Sequence, residues 1–562
     1  MKTVCKSFFS CCLLGLAALT MTVPVMAQVA LEGKATGETK VAGAQPAVII
    51  SVASVENQIS DISYMMKAAG FGDMAFIVKP QIKHFTNGLV ADKPSGMMMY
   101  FEGDNPVPRT VGFLPVENLD DFLDTLSTLV EVDEDDDGIV ITSPGGEEMF
   151  VEESGANIFI ASDRAYLKNL PADPQGMLGA LPTKYNMSAQ IFGDRIPEEL
   201  REKAINMIKG GYLEQLKELN DGEVDESQVE DFEKQISFLK DLKEAKVGML
   251  VDKESGKLAM EFEMIAAPES RMAKAFALYS TVEPTRFGGF LKKSNALDFN
   301  TCFGIPPEDA EQYKSTLSTA IDSAITELEN DGEFTDKEIG TINGALEKLS
   351  EALVETFEKG RIDTGGQVLM DGTEVNIVSG AEVADPKKVE SAAKDLINLA
   401  KTKFGEQLTV NLDSGSYKGA NIHELTVAVP EGEEELRDVF GPQVKILLGI
   451  GAKDVFFAAG TNPLDKLKAS IDSMGTGKPE YPVIYNLRID PILDFFANAT
   501  GDPIVNDLSA KMKELGKDTM TIYSKPIENG LFTRAEMGDG PLGLIQTGIQ
   551  AFQGGLQQFE DF

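Results

Sequence analysis

The sequence predicts an α+β fold made by tandem duplication of one unit, each unit a mostly antiparallel sheet with helices packed on one face. Turn-linked strands outnumber strand-helix-strand crossovers, which favours antiparallel pairing. In addition, a strand-and-helix segment at residues 156–167 recurs at residues 453–464, where Phe159 matches Phe456 and Ala161 matches Ala458. These two observations are the basis of the predicted fold class.

Further matches follow in the same order along the chain, which a chance likeness of local structure would not produce. They indicate two units, residues 47–285 and residues 295–562. The matched segments are 47–53 with 299–305, 95–100 with 365–370, 185–194 with 481–490, 247–251 with 518–522, and Glu263–Met264 with Glu536–Met537.

Turns and helix-start signals divide the two units into elements. The first unit follows a flexible arm (28–46) rich in Gly and Ala and contains an acidic helical insertion at about 196–245, which is much shorter in the second unit. The second unit opens with two long helices, 308–330 and 335–359. Acceptor side chains followed by proline mark later helix starts, because proline at the first helical position loses no hydrogen bond. These pairs are Asp385-Pro386, Asn462-Pro463, Asp490-Pro491 and Asp502-Pro503.

Residues 1–27 have the order of a secretory signal peptide: a basic start, an apolar run from Phe8 to Leu19, and a small residue at Ala27. The apolar run is too short to span a bilayer, and no later stretch reaches the roughly 20 apolar residues required. We therefore expect an exported protein of the periplasm, cell envelope or extracellular space, with no transmembrane segment in the mature chain.

The net charge and the cysteine content limit which partners the protein can bind and how its fold is stabilised. The formal net charge is −39, which repels nucleic acid and anionic membranes and attracts cations. Cys302 is the single cysteine that follows the signal segment, so the mature chain has no internal disulfide. Stability must come from a large core, which two units of this length can bury.

Few residues are suited to catalysis. The chain has two histidines, His84 and His423, at unmatched positions, and it has no nucleophile elbow, Walker loop or dinucleotide fingerprint. Glu263 and Glu536 are acidic strand residues that recur in both units, and alternation outward on a half-buried strand explains them equally well. The sequence therefore predicts no catalytic residues and no bound organic cofactor.

One acidic run has the spacing of a metal loop. Asp133, Asp135 and Asp137, followed by Gly138, match the first half of a calcium loop, in which alternate carboxylates point inward. The bidentate glutamate expected at the twelfth position is replaced by Pro144. These three aspartates are a candidate calcium site, and a solvated turn between two strands explains the same residues.

The signal segment, the run of residues 93–101 (KPSGMMMYF) and the run of residues 112–116 (GFLPV) before a helix resemble uncharacterised acidic secreted proteins of planctomycete-type bacteria. That resemblance implies no activity and no site residues. We expect a non-catalytic binding or envelope-structural protein of two pseudo-equivalent lobes, whose partner is an unknown protein or small molecule. The alternatives are a carboxylate-dependent hydrolase with a site between the lobes, and a calcium-binding surface protein.

Overall fold

A computed structural model describes residues 45–548, apart from short gaps at 102–107, 136–137, 144, 147, 220–228, 230–231, 234–235, 281–282, 307–309, 406–407, 431, 433–436 and 438. The signal segment and most of the predicted N-terminal arm lie outside the described residues. Among the helices that are described, none is both long enough and apolar enough to cross a membrane.

The described residues form twenty strands, numbered here in chain order. They are β1 Val48–Val52, β2 Ser95–Tyr100, β3 Arg109–Pro115, β4 Glu131–Asp135, β5 Gly138–Thr142, β6 Glu148–Ser154, β7 Asn157–Ala161, β8 Met187–Phe192, β9 Leu242–Asp252, β10 Lys257–Ala266, β11 Leu297–Gly304, β12 Arg361–Asp371, β13 Glu374–Glu382, β14 Leu408–Tyr417, β15 Ala420–Ala428, β16 Gln443–Ile450, β17 Asp454–Gly460, β18 Val483–Arg488, β19 Thr519–Ile527 and β20 Gly530–Gly538.

The strands form one continuous sheet, and every pairing between these strands is antiparallel, so the α+β class and the antiparallel sheet are confirmed. The first half has the order β4-β5-β6-β7-β3-β2-β1-β8-β9-β10. The second half repeats this order as β14-β15-β16-β17-β13-β12-β11-β18-β19-β20. β10 pairs with β20, which joins the halves; we call this pairing the junction.

The register connects the sequence matches in one unbroken row across the sheet. From Phe159 in the first half and from Phe456 in the second, a path of directly opposed residues crosses the sheet toward the junction. The two paths pass through Ser188 and Ile484, which are also matched in the sequence. Both paths end at the junction on one opposed pair, Glu261 and Arg534. The first path is 159-113-96-51-188-248-261, and the second is 456-380-365-300-484-523-534.

Three of the predicted matches are out of register with this row. Gly96 corresponds to Gly365, one residue before the predicted Gly366. Gly248 corresponds to Tyr523, four residues beyond the predicted Thr519, and Ser51 corresponds to Asn300, where the sequence match gave Phe303. The cause is the weak side-chain pattern of these strands, which allows a shifted alignment to match apolar letters equally well.

A helical stretch at 540–548 follows β20. The other α-helices of four or more described residues lie between strands. They are Val55–Ala68, Ala75–Phe85, Leu119–Leu126, Pro174–Met177, Leu181–Lys184, Glu198–Leu219, Arg271–Ala277, Ala310–Asp331, Asp336–Glu358, Pro386–Phe404, Pro463–Ser473, Ile489–Thr500 and Pro503–Leu515. Asp385 and Asp502 accept hydrogen bonds from the first free N–H groups of their helices, as predicted. Asp490 does not, because its helix begins one residue earlier, at Ile489.

The prediction that helices pack on one face is wrong. In the second half, helix Pro463–Ser473 buries Leu467 against Leu447 of β16, whereas helix Pro386–Phe404 buries Ile397 in the cluster to which Ile446 of β16 belongs. Adjacent strand residues point to opposite faces, so both faces are covered. The side-chain pattern of β16 is consistent with this, because the strand presents apolar residues on both faces of the sheet.

Candidate functional site

Five strands around the junction, β8, β9, β10, β20 and β19, carry an apolar row on one face. Met187 of β8 lies opposite Met249 of β9, and Met249 lies opposite Met260 of β10. The row continues across the junction through Ala535 to Ile522. Directly opposed residues of antiparallel strands place their side chains on the same face, so we call this surface the methionine face.

Large side chains on this face are unusually exposed. Met187, Met249, Met260, Met520 and Ile522 are between 37 and 54% exposed. Isolated exposed apolar residues are common, whereas a contiguous exposed group on adjacent strands is typical of surfaces that bind another molecule, which makes this face a candidate site.

A shallow cavity of about 370 Å³ lies on the methionine face at the junction. Side chains from both halves line it, including Met249, Leu258 and Met260 from the first half and Leu487, Ile522 and Met537 from the second. Ligand sites in proteins are concave, mostly apolar and typically 300–1,000 Å³, so the cavity has the size and character of a small-molecule site.

The opposite face of the junction carries a buried ionic network, centred on Glu261, which is 4% exposed. Its carboxylate accepts hydrogen bonds from Arg534 Nη1 at 2.8 Å and from the Tyr185 hydroxyl at 2.7 Å, and it lies 2.5 Å from Lys184 Nζ. Burial raises the pKa of Glu261, but the hydrogen bonds from Lys184 and Tyr185 and the Lys184 charge outweigh it, so the pKa is lowered. The carboxylate therefore stays ionised and ties the halves together.

Glu536 has its carboxylate in the same network, 2.5 Å from Lys257 Nζ and 2.9 Å from Arg534 Nε. Glu263, its counterpart in the first half, lies 3.2 Å from Lys246 Nζ. The two recurring acids are thus paired with cations on the face opposite the cavity. They do not converge on a shared reaction site.

A second buried network holds the linker between the halves, which is the segment between helix Arg271–Ala277 and β11. Asp363 accepts hydrogen bonds from Thr285 Oγ1 at 2.6 Å and from the Arg286 backbone N–H at 2.8 Å. The Arg286 side chain also donates to Asp454, at 2.8 Å. Burial, with the charges of Glu382 and Asp363, raises the pKa of Asp454 to about 6 against the opposing effect of Arg286.

Cys302 lies at the edge of this second network. It is buried, and its thiol donates to the Glu283 carbonyl at 3.4 Å. Burial raises the pKa of the thiol to about 11, which disfavours the nucleophilic thiolate.

His423 belongs to a group with Glu390 and Asp413 in which one potential ligand atom of each lies within 4.8 Å of the others. The Asp413 backbone N–H donates to His423 Nδ1 at 3.0 Å, so the proton of the neutral ring is on Nε2. A metal bound at Nε2 would require that proton to move to Nδ1 and break this bond. The Lys394 ammonium already lies 2.8 Å from Glu390 Oε1 and 3.3 Å from Asp413 Oδ1, so the group is explained as an internal ionic network.

The predicted calcium residues lie in a hairpin. Asp133 and Asp135 belong to β4, which pairs with β5 so that Asp135 lies opposite Gly138. Asp137 lies outside the described residues, and the calcium site stays a prediction. In the part of the chain that the structure describes, β4 pairs with β5 alone, and charge on such an edge strand discourages pairing with other chains.

His84 lies on helix Ala75–Phe85 and is not among the three residues of the His423 group. The methionine face is the candidate functional feature that the sequence analysis did not predict. Its signal was present as alternating apolar residues on both strands of the β9–β10 and β19–β20 hairpins, but apolar residues on a strand are ordinarily assigned to the core.

Comparisons of the chain with protein-family models, curated proteins and solved structures found no match. The resemblance to secreted proteins of planctomycete-type bacteria therefore stays an interpretation of the sequence.

Proposed function

We propose that this protein is an exported, non-catalytic binding protein that holds an apolar small molecule on the methionine face. The cavity at the junction is the observation that carries the proposal. It is lined by apolar side chains from both halves, so a ligand there would contact both halves at once.

The flexible lining also supports binding of an apolar molecule. Methionine is unbranched and polarizable, and its side chain adapts to irregular ligands better than leucine or valine does. Met249, Met260, Met520 and Met537 all border the cavity. Covering these side chains would remove apolar surface from water, at about 25 cal/mol per Å².

Hydrolysis by carboxylates is supported less well. It would need two acids at a defined separation around the substrate. Glu536 borders the cavity, but its carboxylate is paired with Lys257 and Arg534 on the other face of the sheet. The acids with raised pKa values that surround the linker are engaged by arginines.

The proposal is tested with the neutral dye N-phenyl-1-naphthylamine, which fluoresces when it enters an apolar site. We expect the wild-type protein to enhance its fluorescence saturably. Ile522→Glu should abolish this binding, because it places a charge in the cavity at a residue that is 45% exposed and tolerates substitution.

The matched control is Met207→Glu, at a methionine that is 46% exposed on helix Glu198–Leu219. This variant should bind the dye as the wild type does. If the wild type gives no saturable signal, or if both variants bind equally well, the methionine face is not the ligand site.

We also propose that the two halves arose by duplication of one unit. The shared strand order and the continuous row of matched residues support this origin. An experimental structure in which Phe159 and Phe456 occupy strands with unlike neighbours would contradict it.

A further inference from the structure

The first-half edge of the cavity has a feature that an apolar site does not require. Met187 lies directly opposite Met249, and Met249 lies directly opposite Met260, on three adjacent strands. Opposed residues of an antiparallel pair have Cβ atoms about 4.5–5.5 Å apart. Met187 and Met260 are therefore two such steps apart, roughly 9–11 Å, and their flexible side chains can lean toward Met249 so that the three sulfur atoms face one ion above the sheet.

We propose that these three thioethers bind a soft monovalent cation, Cu(I) or Ag(I). Thioether sulfur is a soft ligand that selects Cu(I) over hard cations such as Mg²⁺ and Ca²⁺. Each of the three side chains is 43–54% exposed, so a cation reaches them from solvent. The site extends beyond the proposed apolar-ligand function and shares with it only Met249 and Met260.

The charge of the protein favours such a cation. A formal net charge of −39 raises the local concentration of cations at the surface. Among the residues that line the cavity the structure places no lysine or arginine, so no fixed positive charge opposes the ion there.

The Cys302 thiol should compete little with the three methionines for the cation. Cys302 is buried, and its raised pKa keeps it protonated, whereas a thiol binds metals as the thiolate. Thioethers carry no proton at ordinary pH, so the methionine site, unlike a site built from histidine or carboxylates, should not lose its cation when the pH falls.

The test is a calorimetric titration of the full mature chain with silver(I) nitrate in chloride-free buffer, at pH 5 and at pH 8. We expect saturable binding of similar affinity at both pH values. The triple variant M187L/M249L/M260L keeps the apolar volume but removes the three sulfur atoms, and it should lose this binding or weaken it by more than about tenfold.

Two controls separate this proposal from the apolar-ligand function. M520L/M537L changes two methionines of the same cavity on the other side of the junction and should leave silver binding unchanged. The triple leucine variant should still bind N-phenyl-1-naphthylamine, which also shows that it folds. Absence of silver binding by the wild type, or equal binding by the triple variant, overturns the proposal whatever the dye shows.

Discussion

Glu261 is the residue through which the contribution of the junction to stability can be measured. Glu261→Gln keeps the size of the side chain but removes the charge that Lys184 and Arg534 share. Removing one partner of a buried ion pair typically costs about 3–5 kcal/mol, because the remaining charge is left uncompensated. Arg534 retains Glu536 as a partner and the Lys184 side chain is half exposed, so we expect a loss of about 3 kcal/mol.

The measurement is urea unfolding at pH 7.5 followed by circular dichroism, since the chain has no tryptophan to report by fluorescence. Tyr185→Phe is the control. It removes one hydrogen bond to the same carboxylate and should cost about 1.5 kcal/mol. Both variants should unfold in a single transition if the continuous sheet makes the halves cooperative.

The pH dependence of the stability difference between wild type and Glu261→Gln tests the role of the Glu261 charge directly. The pKa of Glu261 is lowered in the folded protein, so its stabilisation is present above its ordinary pKa and is lost as the pH falls through the lowered value. The difference between wild type and Glu261→Gln should therefore shrink in acid. A loss below about 1 kcal/mol at pH 7.5, or a difference that does not change with pH, would refute the reasoning.

Three further predictions concern the second network, the core and the close approach of two strands to a phenylalanine. Asp454 has a pKa raised to about 6, so the stability it contributes is full below its ordinary pKa and falls as the pH rises through about 6. Relative to wild type, Asp454→Asn should therefore gain about 2.4 kcal/mol in unfolding free energy between pH 4 and pH 7, and a pH-independent difference would contradict this. Phe159→Ala and Phe456→Ala, both at buried residues, should each cost about 3–5 kcal/mol in urea unfolding, whereas unequal costs would show that the halves are not packed alike. Gly380→Ala would place a Cβ 2.5 Å from Phe287 and should lower stability by about 1–3 kcal/mol. The control Gly340→Ala lies on a helix, where no atom is within 4 Å of the new Cβ, and should raise stability by about 1 kcal/mol. If the two variants do not differ in this way, the packing described is wrong.

The sequence predicted the features that depend on local chemistry. The proline-started helices at Pro386 and Pro503 were predicted correctly, because helix caps act within a few positions. The match of Phe159 with Phe456 was recognisable because both are buried strand residues with the same succession of neighbours.

Features that depend on the sheet as a whole could not be predicted in this way. The methionine face exists because β8, β9 and β10 are neighbours in register, and a one-residue slip would move Met249 to the other side. The ionic network around Glu261 likewise joins residues that are 76 and 273 positions apart in the chain. No local rule relates such residues before the strand order is known.

The pairing of Glu261 with Arg534 has a consequence for how the protein could be divided. Two separate copies of the first half, assembled in the same antiparallel register, would bring Glu261 against Glu261, and two copies of the second half would bring Arg534 against Arg534. Like charges opposed in a buried position repel. A single polypeptide avoids this conflict, because each half can evolve the charge that the other lacks, and neither half can then be replaced by a second copy of its counterpart.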